Sequence, residues 1–194
     1  MESTIYIFNN VFLALVEVDE IEILFPQNKT SNTIHTRKRF LEKEGIKYLL
    51  KKHLPKNTLI YNKNGKPHLK EGGYLSISHS KSLIGLAWSH EINIGLDIEE
   101  ISPKIDKIHN RFIHDLEKEI AITQEEKTII WCVKEAMVKI LDNKSINFKQ
   151  NLRVIKKSNP DEWVCFANDD LTNAYVFSVF KTKNNIVCIH TKLE

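Results

Sequence analysis

Residues 93–100, NIGLDIEE, set Asp97 and Glu99 in alternation with Leu96 and Ile98. Successive side chains of a strand point to opposite faces, so both carboxylates share one face and both apolar residues the other. Two acids on one face of a half-buried strand repel and raise each other's pKa unless a cation or base stands between them. The chain must either leave that face in water, as an edge strand does, or supply a positive partner. Residues 131–139, WCVKEAMVK, read as a helix with Glu135 and Lys139 one turn apart on one face. Alone, that is a surface pair worth roughly 0.2–0.5 kcal/mol. With the strand, it puts three carboxylates and a lysine on two rigid elements, a site for a hard cation and a phosphate.

The 194 residues suffice for one large domain or two small ones. Hydrophobic residues at 42% and charged residues at 27% argue against a disordered chain. A net charge of +3 is too weak to argue for nucleic acid and suits an anionic small molecule or an acidic partner protein. Cys132, Cys165 and Cys188 are odd in number and far apart, against a disulfide framework or zinc module and for a reducing cytoplasm. The first residues, MESTIYIFNN, lack a basic leader, and no apolar run is long enough to span a bilayer, so neither a signal peptide nor a membrane segment is expected.

Residues 4–8 and 13–18 read as strands, and 25–28, FPQN, break the pattern. A helix is expected over 33–54, with Ser31, Asn32 and Thr33 as caps, Ile46, Leu49, Leu50 and His53 at helical spacing, and Gly45 as a weak point. Its many lysines and arginines are mostly a solvated face. Strands follow at 58–61, 74–79, 83–89 and 93–99, with Asn64-Gly65 and residues 80–82 at turns, so a β-meander fills the middle of the chain. Residues 104–108 with Arg111-Phe112 are expected to pack over the site. Helices are expected at 117–123 and 124–141, the latter with Ile130, Val133, Met137 and Ile140 as its apolar stripe. Strands return at 163–167, 174–180 and 186–190. The fold class is α+β, without internal sequence repeats.

Two or three carboxylates suit Mg²⁺, which prefers oxygen ligands and shares them with substrate phosphates, and do not suit structural zinc. Ser78-His79-Ser80 is turn chemistry or a hydroxyl and imidazole facing phosphate; without a G-x-S-x-G elbow a serine nucleophile is disfavoured. Lys66, before Pro67, is a turn lysine or a phosphate contact.

Five segments in order, G65-K66-P67 with H68-L69, S76-I77-S78-H79-S80, G95-L96-D97-I98-E99, R111-F112 and W131-C132-V133-K134-E135-A136-M137-V138-K139, resemble the surfactin-type 4′-phosphopantetheinyl transferases over residues 37–152. The resemblance implies two similar α/β halves, residues 1–97 and 98–194, related by a pseudo-twofold axis with coenzyme A in the cleft between them. It implies transfer of 4′-phosphopantetheine from coenzyme A to a serine of an apo acyl or peptidyl carrier protein, releasing adenosine 3′,5′-bisphosphate. Asp97, Glu99 and Glu135 match the Mg²⁺ ligands, Glu135 also the general base, and Lys139 the pyrophosphate lysine. Ser78 and His79 match phosphate contacts and Lys66 the 3′-phosphate contact. Arg37, Arg39 and Lys47 are the first-helix candidates for coenzyme A or carrier contacts. The chain departs from the family with Lys47 where arginine is usual, and with Asp142-Asn143 where a glycine often follows the last motif. A cytoplasmic monomer is expected. The competing classes are a non-catalytic coenzyme A or carrier-binding module and a metal-dependent phosphohydrolase. A two-carboxylate glycosidase is more distant, because acids on one strand face are badly placed to flank a sugar bond.

Overall fold

The computed structural model describes residues 2–26, 34–143, 145–168 and 170–193, with only the backbone at residues 34, 35 and 170. The cap candidates Ser31, Asn32 and Thr33 lie outside these. In chain order the elements are β1 (Thr4–Phe8), β2 (Val11–Glu17), α1 (Val18–Leu24), α2 (Ile34–His53), β3 (Leu59–Tyr61), β4 (Pro67–Leu69), β5 (Tyr74–His79), β6 (Leu83–Ser89) and β7 (Leu96–Glu100). Then come α3 (Ile105–Ile108), 3₁₀ turns at His109–Arg111 and Asp115–Ile120, α4 (Gln124–Leu141), α5 (Phe148–Asn151), β8 (Leu152–Lys156), β9 (Glu162–Ala167), β10 (Asp170–Thr182) and β11 (Asn185–Leu193). Helices and antiparallel strands mix as α+β. Among the described residues no helix is long and apolar enough to cross a membrane.

One sheet has the order β1-β2-β6-β5, a second β7-β11-β10-β9-β8, and β3 pairs with β4 in a separate hairpin. The expected meander ends at β6. Strand β7 leaves that sheet and pairs antiparallel with β11, Asp97 opposite Cys188. It still lies beside β5 through side chains: Leu96 N–H donates to Ser76 Oγ at 2.9 Å and Ile98 N–H to Ser78 Oγ at 3.1 Å. The two serines therefore satisfy backbone groups that a ladder would otherwise pair.

The apolar residues divide into three clusters. Ile21, Leu41, Leu49, Ile84, Leu86 and Trp88 pack between α2 and the first sheet. Leu13, Leu15, Ala87, Leu96, Ile98 and Val187 join the two sheets. Ile130, Val133, Met137 and Ile140, the expected stripe, bury α4 against the second sheet. Strand β2 feeds two clusters, which is why it reads as an apolar run and not as an alternating one. Strand β7 does alternate: Leu96 and Ile98 face the first sheet, leaving Asp97 and Glu99 on the other side.

Several local devices set the helices. Thr123 Oγ1 accepts from Glu126 N–H while Glu126 Oε2 accepts from Thr123 N–H, a capping box that starts α4. Asp142 ends α4 in the left-handed region (φ 51°), which Asp tolerates better than most residues. Gly45, expected to weaken α2, is instead where that helix meets the sheet: a Cβ there would lie 2.4 Å from Ile84 Cδ1. Gly95 does the same for α4, since its Cβ would lie 2.0 Å from the Ala136 carbonyl oxygen. Helix α1 lies in a stretch for which the sequence reading assigns no element; Glu20–Ile23 alternates with period two, which marks no helix face.

Lys134 and Glu117 form a fully buried ion pair at 2.7 Å. Lys134 Nζ also donates to the carbonyls of Phe112 at 2.7 Å and Phe148 at 3.0 Å. Glu117 accepts from the N–H groups of His114 and Val154, both at 2.7 Å. This lysine of the WCVKEAMVK stretch therefore ties α4 to the segments before and after it.

Lys134→Met leaves the Glu117 carboxylate uncompensated and should cost about 3–5 kcal/mol in urea unfolding. Gly95→Ala should cost at least about 1–3 kcal/mol, because the backbone carbonyl it meets cannot rotate away. Equal unfolding midpoints for wild type and Gly95→Ala would contradict this packing.

Candidate active site

Strand β7 and helix α4 bring Asp97, Glu99, Glu135 and Lys139 together. Asp97 is 5% exposed. Its Oδ1 accepts from Lys139 Nζ at 2.8 Å and from Ser78 Oγ at 2.9 Å. Its Oδ2 is buried with no hydrogen-bond partner. Lys139 Nζ also donates to the Leu96 carbonyl at 2.7 Å. The helical pair read from the spacing of Glu135 and Lys139 is thus replaced by a pair across elements, with Lys139 reaching forward to β7.

Glu99 accepts from Trp131 Nε1–H at 3.0 Å. Its pKa is pushed up to about 7, first by burial and then by Asp97, against the Trp131 hydrogen bond and Lys139. Glu135 is likewise pushed up to about 7, by burial and by Asp97, against Lys139. The acids press on one another as their residue types implied. Among the described residues no group of three or more His, Cys, Asp and Glu is drawn together closely enough to hold a metal ion by itself. The donor chemistry nevertheless fits Mg²⁺, which takes one or two protein carboxylates and completes its shell with substrate phosphates and water. The unpartnered Asp97 Oδ2 is an oxygen of that kind.

Trp131 is itself held between Phe112 and Phe148, ring centroids 5.0 and 5.2 Å away. The segment carrying Arg111 and Phe112 therefore acts on the acids through Trp131; Arg111 itself is exposed. The three cysteines are free and buried. Burial raises their thiols, which makes them poor nucleophiles.

Lys66 and Lys139 line one cavity of about 200 Å³, together with Pro67, Leu75, Val138 and Asp142. Burial pulls the Lys66 ammonium down and Asp142 opposes the shift; its Nζ lies 3.5 Å from Asn93 Oδ1. Asn93 in turn donates to the Ile140 carbonyl at 2.8 Å, linking the Lys66 turn to the end of α4. Ser78 Oγ donates to Asp97 and accepts from the Ile98 N–H, so in this arrangement it orients a carboxylate. His79 Nδ1 lies 3.1 Å from Glu42 Oε1.

The first-helix candidates do not gather at the acids. Arg37 binds Glu22 at 3.4 Å and the Phe25 carbonyl, fastening α2 to α1. Arg39 is exposed. Lys47 pairs with Glu44 at 2.7 Å on the outer face. An α2 cation whose field does reach the acids is Lys38, which opposes the upward shift of Glu99 and also acts on His79. Sequence reading missed it because three adjacent basic residues, Arg37, Lys38 and Arg39, carry no mark of which one comes within range of the acids. Its i,i+4 partner Glu42 was the available signal.

The raised carboxyls fix the sign of a pH effect. Between the ordinary glutamate value of 4.5 and about 7, the folded protein holds protons that the unfolded chain has released. This contribution to stability is complete below about pH 4.5 and is lost as pH rises to about 7. Without divalent cations, the stability of wild type relative to Glu135→Gln should fall across that window, measured by urea unfolding at a series of pH values. A constant difference would contradict the raised Glu135.

A family model described as the 4′-phosphopantetheinyl transferase superfamily matches residues 93–189, half of the chain and the part that carries β7 and α4. The 4′-phosphopantetheinyl transferase gsp of Aneurinibacillus migulanus is 28% identical over 168 residues, covering 76% of this chain and 70% of that protein. With the acids, the lysine and the intervening elements all inside the matched stretch, the chain belongs to the 4′-phosphopantetheinyl transferase superfamily and is a transferase of that type.

Proposed function

We propose that this enzyme moves 4′-phosphopantetheine from coenzyme A to a serine of an apo acyl or peptidyl carrier protein, with Mg²⁺, leaving adenosine 3′,5′-bisphosphate. The observation that supports it most is the convergence of Asp97, Glu99, Glu135 and Lys139 beside a cavity that Lys66 also lines. Asp97, Glu99 and Glu135 would hold the Mg²⁺, which when bound neutralises phosphate charge.

The chain's own residues account for the remaining steps. The serine oxygen bonds to the phosphorus on the pantetheine side of the pyrophosphate, and the bond from that phosphorus to the bridging oxygen breaks. The leaving adenosine bisphosphate keeps that electron pair. The serine proton goes to Glu135, directly or through water. Lys139 places a positive charge at the same wall of the cavity for the pyrophosphate, and Ser78 keeps Asp97 oriented. Lys66 serves the 3′-phosphate, and the exposed basic residues of α2 draw an acidic carrier to the site. In this reading residues 1–97 and 98–194 are the two halves of a pseudo-twofold fold. The chain works as a cytoplasmic monomer, since it carries its own cleft.

Intact-protein mass spectrometry of an apo carrier protein, incubated with the enzyme, coenzyme A and Mg²⁺, should show the gain of one phosphopantetheine arm. Glu135→Ala should slow that gain by about 10²–10⁴-fold, and chelation of the divalent cation should stop it. Coenzyme A binding without any gain on several carriers would replace this reading with a binding module.

A further inference from the structure

Asp142 places a carboxylate where three separate effects disfavour one. It ends α4 in the left-handed region at φ 51°, a conformation that glycine adopts without steric cost. Its negative charge lies at the C-terminal end of an 18-residue helix, where the dipole favours cations. It also lines the cavity that Lys66 and Lys139 share, which in the coenzyme A reading receives an anionic ligand. The hydrogen bond it accepts within the protein is long, 3.4 Å from Asn62 Nδ2 to its Oδ2. The walls around it are otherwise largely apolar, with Pro67 from β4, Leu75 from β5 and Val138 from α4. At about 200 Å³ the cavity is smaller than the roughly 300–1,000 Å³ of pockets that enclose a drug-sized ligand, so it has room for one part of coenzyme A.

We propose that Asp142 is a specificity-determining residue of the transferase, accepting a hydrogen bond from the exocyclic amino group of the adenine base of coenzyme A. The inference rests on the coenzyme A reading given above. In that reading Lys66 takes the 3′-phosphate and Lys139 the pyrophosphate, and both line this cavity. Those two phosphate groups are attached to one ribose, so the base that the ribose also carries lies within reach of the same walls. Apolar side chains suit the flat faces of a purine and offer a phosphate nothing. A carboxylate only accepts hydrogen bonds and repels phosphate, so its partner must be a donor, and the amino group is the donor on the base. Covering the carboxylate makes the match selective. A base without the amino group would leave a desolvated acceptor with no partner.

The test is calorimetric binding of coenzyme A, and of its analogue with hydrogen in place of the 6-amino group, to wild type, Asp142→Asn and Asp142→Gly. The two ligands share every phosphate and hydroxyl, so the ratio of their Kd values reports the amino group alone. Wild type should bind coenzyme A about tenfold to hundredfold more tightly than the analogue, the range of hydrogen bonds to charged groups. In Asp142→Gly the ratio should fall to within about threefold of unity. Asp142→Asn, whose amide keeps one acceptor oxygen, should lie between the two. Glycine and asparagine both adopt the left-handed backbone, and thermal unfolding of each variant confirms the fold. The ratio of KM values for the two ligands in carrier modification should move in parallel with the Kd ratio. A wild-type ratio near one would overturn the inference alone. So would a loss in Asp142→Gly that is equal for both ligands, which would assign Asp142 to Lys66 or to the Asn62 contact instead. Wild-type protein that binds no coenzyme A would overturn the functional reading and this inference with it.

Discussion

At Gly95 the backbone entering β7 lies directly against the Ala136 carbonyl of α4, and the geometry of the site depends on that contact. Strand and helix approach more closely than any side chain at position 95 would permit. Only at that separation does the Lys139 ammonium reach both the Leu96 carbonyl and Asp97. The same approach brings Glu135 near enough to Asp97 and Glu99 for their charges to raise its pKa. A methyl group at this point would move a rigid helix, and every group it carries would shift with it.

Two ion pairs on α4 differ in how far they are buried and in how completely their atoms find partners. Lys134 and Glu117 are fully enclosed, and their neighbours supply both a carboxylate partner and several backbone partners. Lys139 and Asp97 lie at the cavity edge, and Asp97 keeps one buried oxygen without a partner. Buried polar atoms are nearly always paired, and this unpaired oxygen lies beside two carboxyls pushed up to about 7, the donor set on which the proposed Mg²⁺ site rests. The raised carboxyls work against stability near neutral pH, and the Lys134–Glu117 pair on the same helix ties α4 to the segments before and after it.

Much of the fold was legible because its signals are local. The alternation at β7, the apolar stripe of α4 and the β5–β6 hairpin each repeat within one element. Other features needed partners that lie far along the chain. Strand β7 extends next after β6 yet pairs with β11 some ninety residues later. Ser78 had the residue type of a phosphate contact, but its hydroxyl is committed to Asp97 and the Ile98 amide. Lys38 could not be told from Arg37 and Arg39 until the helix was set on its sheet, which turned Arg37 toward α1.

By itself the sequence determined which side chains could do chemistry and which of them share a strand face or a helix face, because the periods of strand and helix are properties of the backbone. It also carried the glycine that lets β7 and α4 meet. The tertiary structure alone decided which partners those side chains take. Lys139 could have paired with Glu135 on its own helix; packing carried it across to Asp97, where two backbone-fixed elements offer oxygens at hydrogen-bond distance. That choice rests on distances between elements, and no local period encodes them.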